Sequence, residues 1–240
     1  MTRALCLALC LLSGLATGAA ASDLSRFNAA IGEADRAVRG ALFYLRTGNP
    51  AVAGFELQDA VAIWNERVMA FRDAPPDAFS DETDWPALLD ALASDLASAE
   101  TATADSEVES AQATLTALRE TLSALRARNQ VRVFSDCIAE ANRAMDALWV
   151  YRHEPPDFAD AAAVDGLKAQ TAVTAHLYRR CVAEAPAAIA EDPSFTRITE
   201  GAITSLDRLF PVIREGNPEG VINLLRELRS FDRMLWLEFG

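Results

Sequence analysis

Residues 45–50 read Leu45-Arg46-Thr47-Gly48-Asn49-Pro50, and near the other end of the chain residues 213–218 read Ile213-Arg214-Glu215-Gly216-Asn217-Pro218. Glycine accepts the left-handed backbone that follows a helix, and proline sets the dihedral of a first helical residue, so both stretches predict the turn of a helical hairpin. Upstream of the first turn, Phe27, Ile31, Ala34, Val38, Ala41, Leu42 and Leu45 recur at helical spacing; downstream, Phe55, Leu57, Val61, Trp64 and Val68 do the same. Each segment is an amphipathic helix.

The same period extends along the chain. It predicts helices over about 24–47, 51–72, from about 84, 105–128, 132–153, from 157 or 163 to 185, 195–214 and 218–238. No alternating strand pattern interrupts them, so the fold class is all-α, with about eight antiparallel helices arranged as repeated hairpins. A second echo pairs Ile31-Gly32-Glu33-Ala34-Asp35-Arg36-Ala37 with Ile138-Ala139-Glu140-Ala141-Asn142-Arg143-Ala144. It divides the chain into four-helix units at 22–129 and 130–240. A lone hairpin cannot bury its apolar face, and either tandem bundles or a short hairpin array would cover it.

Residues 1–21 are set apart from that pattern. Met1-Thr2-Arg3 gives a short basic start, residues 4–16 are mostly apolar, and Ala19-Ala20-Ala21 supplies small residues. That order reads as a secretory signal peptide cleaved after Ala21, too short for a span that needs roughly 20 apolar residues. Leu9 in front of Cys10 argues against lipid attachment there. The expected compartment is periplasmic or secreted, with no membrane span in the chain that follows. Of the 4 cysteines, Cys137 and Cys181 then remain. An even pair in an oxidising compartment favours a disulfide, and hairpin geometry puts the two at matching heights on the open end of the fifth and sixth helices.

The chain carries 35 acidic and 22 basic side chains, a net charge of −13. Such a field disfavours nucleic acid as a partner. Covalent haem needs C-x-x-C-H, which is absent, leaving His176 or Met145 as the ligands a non-covalent haem would use. Glu33, Asp35, Glu56 and Asp59 fall together in the first hairpin and are the candidate carboxylates for a metal. No nucleophile elbow, phosphate loop or dinucleotide fingerprint occurs, so no catalytic residue is nominated. The last helix is dense in arginine and apolar residues on more than one face, which makes Arg229, Phe231, Arg233, Trp236 and Phe239 a candidate interface.

Ala37, Ala41 and Tyr44 before the first turn, Gly48 in it, and Ala53, Leu57 and Ala60 after it resemble a tetratricopeptide-repeat hairpin over about 27 residues. The resemblance implies a peptide- or partner-binding groove. The chain departs from that family's pattern at the repeat-ending proline and at its 34-residue period. The sequence therefore reads as an exported helical protein without enzymatic chemistry or a cofactor, working by binding a periplasmic protein or its own copy. The alternative reading is a periplasmic haem- or metal-binding bundle.

Overall fold

The computed structural model describes residues 22–240, so the expected signal peptide lies outside the described residues. The described chain is all-α and has no strand. Its helices are α1 (Asp23–Arg46), α2 (Pro50–Ile63), α3 (Trp85–Ala104), α4 (Val108–Arg128), α5 (Phe134–Trp149), α6 (Ala161–Glu184), the single turn α7 (Ala187–Ala190), α8 (Pro193–Arg214) and α9 (Pro218–Phe239). Helix α2 runs on through a π-helical turn, Trp64–Val68, and a 3-10 turn, Met69–Phe71. Neighbours in sequence pack as antiparallel pairs, α1 with α2, α3 with α4, α5 with α6 and α8 with α9. None of the described helices is long and apolar enough to cross a membrane.

The two Gly-Asn-Pro turns are built alike. Gly48 has φ +79° and Gly216 φ +65°. The next residue in each, Asn49 or Asn217, donates its backbone N–H to a carbonyl one turn back, Tyr44 or Val212. Its side chain then accepts from Val52 N or Gly220 N and so caps the helix that the proline opens. The turns after α3 and α4 close the same way but place Ser106 (φ 62°) and Gln130 (φ 56°) in the left-handed region. A left-handed L-residue costs roughly 1–2 kcal/mol. At Gly48 an added Cβ meets nothing within 4 Å. Gly48→Ala is therefore expected to lower stability by about 1 kcal/mol through backbone strain alone, measured as a shift in urea midpoint at unchanged slope.

Buried apolar residues form two clusters, one drawn from residues 27–125 and the other from 137–235. In the first, Phe27, Phe79 and Trp85 have ring centroids 5.2–5.5 Å apart. The Trp85 indole donates to the Phe71 carbonyl at 2.8 Å, which ties the acidic linker between α2 and α3 to the core. In the second, Cys137 and Cys181 form the expected disulfide between the start of α5 and the end of α6, with Cα atoms 5.6 Å apart. Ala41, Ala53, Leu57 and Ala60 are fully buried, and these mostly small residues let α1 and α2 approach closely.

Candidate functional site

Helices α1, α4 and α9 meet at a charged seam. Arg39 points from α1 into the interior with its side chain only 5% exposed. It donates to Asp35 Oδ2 at 2.5 Å, and to the Leu237 and Glu238 carbonyls at 3.2 and 3.5 Å. A guanidinium suits that place, because the last carbonyls of a helix are unpaired and carry partial negative charge. Arg119 reaches over from α4 and donates to both oxygens of Asp35, at 2.6 and 3.2 Å. Burial alone would raise the Asp35 pKa, but Arg119 and Arg39 outweigh it and hold the carboxyl below the ordinary range. One carboxylate thus joins α1 to α4 and, through Arg39, to the end of α9.

Beside the seam runs a cleft of about 650 Å³ between α1, α4, α5 and the end of α9. Its α1 wall extends from Asn28 to Arg46, about 27 Å at 1.5 Å per residue. At one end two guanidinium groups lie against the Trp236 ring, Arg46 at 4.7 Å and Arg119 at 5.2 Å from its centroid. Five arginines and four carboxylates line the cleft. Asp35 is matched by Arg39 and Arg119, Asp136 by Arg126, and Asp146 by Arg229 from α9. Among the described residues Arg46 and Arg143 have no carboxylate partner. Burial, and then repulsion from Arg233, Arg229 and Arg119, lower the Arg46 pKa.

Behind the α5 wall lies a buried polar network. Asp232 is 2% exposed. It accepts from the Tyr178 hydroxyl at 2.7 Å, Asn142 at 2.8 Å and Arg229 at 3.0 Å. Burial nevertheless dominates and pushes its pKa up to about 6. Because the folded value lies above the unfolded one, this group's contribution to stability is complete below about pH 4 and is lost as pH rises through about 6. Asp232→Asn removes the titration. The thermal midpoint of the wild type, measured relative to that variant, is expected to fall between pH 4.5 and pH 7.5.

The carboxylates grouped by sequence do not stay together. Asp35 belongs to the arginine seam, whereas Glu33, Glu56 and Asp59 line a second groove of about 700 Å³ on the other side of α1. There Glu33 is paired with Arg67, and burial followed by the nearby Asp59 raises the Glu56 pKa. Among the described residues no three His, Cys, Asp or Glu side chains are gathered as a metal site. His176 is exposed on α6, while Met145 is fully buried in the second core, so the two do not face a common ligand.

Four of the five candidate interface residues are engaged within the chain. Arg229 pairs with Asp146 and Asp232. The Phe231 ring lies against Gly201, leaving no room for a Cβ. Trp236 packs on the first core beneath Arg46 and Arg119, and Phe239 meets Phe195 edge-on at 5.2 Å. Arg233 is exposed. Sequence reasoning missed Arg39, Arg46, Arg119 and Arg143; the visible signal was the Asp35/Arg39 pair at i,i+4 on a mostly apolar helix face. In comparisons with protein-family models, curated proteins and solved structures, nothing matches this chain.

Proposed function

We propose that this chain is an exported binding protein that holds a segment of a partner protein in the cleft between α1, α4, α5 and α9, and carries out no chemistry of its own. The observation that carries the reading is the length of the cleft, about 27 Å along α1. A cleft with so long a wall, lined by both apolar and charged side chains, suits an extended polypeptide better than a compact cofactor, which sites bury from most sides. The signal-like start and the Cys137–Cys181 disulfide support a compartment outside the cytoplasm.

A photoreactive residue in place of Thr116, exposed at the cleft mouth on α4, tests this in the native host, with Ala172 on α6 as the control position. The expected result is one discrete adduct from position 116 only, whose partner, once purified, binds the full chain one-to-one in solution. Equal labelling from both positions, or no adduct at all, overturns the reading. An adduct with a second copy of the chain replaces it with self-association.

A further inference from the structure

Charge around the cleft is unevenly settled. The chain as a whole is at −13, and the groove on the far side of α1 is lined by six carboxylates against one arginine. The side chains lining the cleft are balanced differently, five arginines to four carboxylates, and three of those carboxylates are held by ion pairs. Arg46 and Arg143 remain without acid partners among the described residues. Arg46 is fixed by stacking on Trp236 and by donating to the Leu42 carbonyl at 3.2 Å, so it is presented rather than free to fold back. Arg119, Arg229 and Arg233 repel it, and Asp146, which attracts it, is engaged by Arg229. Like charges held together by the fold repel one another, and an anion docking among them relieves that repulsion.

We propose that the segment held in the cleft is an extended acidic peptide, its carboxylates taken by Arg46 and Arg143 and its backbone lying along α1 towards Trp236. This rests on the partner-binding reading above. A peptide with several carboxylates can serve both Arg46 on α1 and Arg143 on α5, and its remaining groups can cover Ile31, Leu42 and Trp236, which line the same cleft. The acidic groove across α1 repels the same peptide, so charge alone selects one side of the hairpin.

Calorimetric titration of the disulfide-bonded chain with capped decapeptides tests the proposal, using alanine alternated with glutamate, glutamine or lysine. At low salt the glutamate peptide is expected to bind about tenfold tighter or more than the glutamine peptide, and to weaken steeply as salt rises. Arg46→Gln and Arg143→Gln should each weaken it about fivefold to tenfold while melting like the wild type. Arg143→Lys, which keeps a charge at a position with no ring beneath it, and Arg226→Gln, exposed elsewhere on α9, should stay within about twofold. Equal binding of the glutamine or lysine peptide overturns the proposal. So does displacement of the glutamate peptide by inorganic phosphate at equal concentration, which would assign a small-anion site. If no peptide preference appears while position 116 still captures its partner, only the acidic assignment falls; loss of that capture takes the partner reading with it.

Discussion

Asp35→Ala is expected to cost about 3–5 kcal/mol of unfolding free energy, because it strands a buried guanidinium. The Arg39 side chain is 5% exposed and, without Asp35, keeps only two carbonyl acceptors at the end of α9. Arg119, 23% exposed, loses the same partner but retains access to water. Most of the loss should therefore trace to Arg39. A double-mutant cycle separates the two: Asp35→Ala combined with Arg39→Met removes the stranded charge and should recover more than half of the deficit. Urea midpoints for the four proteins measure it. If the single variant costs under about 1 kcal/mol, the seam is a solvated ion pair. If the double variant recovers nothing, the loss reflects packing around Asp35 instead of charge.

Cys137→Ala with Cys181→Ala should remove about 4 kcal/mol, the chain-entropy value for a closed loop of this length. The bond spans 44 residues, and both cysteines are at most 1% exposed, so alanine leaves no buried polar atom behind. At this chain size the loss corresponds to a thermal midpoint lowered by about 8–16 °C. Full reduction of the wild-type protein should reproduce the shift. A fall well short of that range would mean that contacts between α5 and α6, such as Gln170 on the Ala144 carbonyl at 2.9 Å, already order the reduced hairpin.

Local rules account for what the sequence disclosed. Gly48-Asn49-Pro50 and Gly216-Asn217-Pro218 specify their turns within a few residues, and helical periodicity specifies the buried faces, so the hairpins were legible. The disulfide was legible because hairpin geometry alone sets the height of its two ends. Ser106 and Gln130 make the same kind of turn without glycine, so those turns carried no such mark. The charged seam was hidden for another reason: Asp35 and Arg119 are 84 positions apart, and only packing brings α1 to α4. The end of α9 is apolar on more than one face because it serves several neighbours: Trp236 packs on the first core and also lines the cleft, and Leu235 belongs to the second core. The acidic grouping failed because Asp35 and Glu33 lie on different sides of α1, a distinction that counting carboxylates does not make.

Hydrogen exchange of the full chain, free and bound to the partner captured through position 116, is the most direct test of where binding occurs. Protection is expected along residues 28–46 of α1 and 112–126 of α4, two of the walls of the arginine cleft, with the exposed face of α6 around Ala172 unchanged. Protection centred instead on the acidic groove at Glu56, Asp59 and Glu66, or none on α4, would contradict the assignment of the cleft as the binding site.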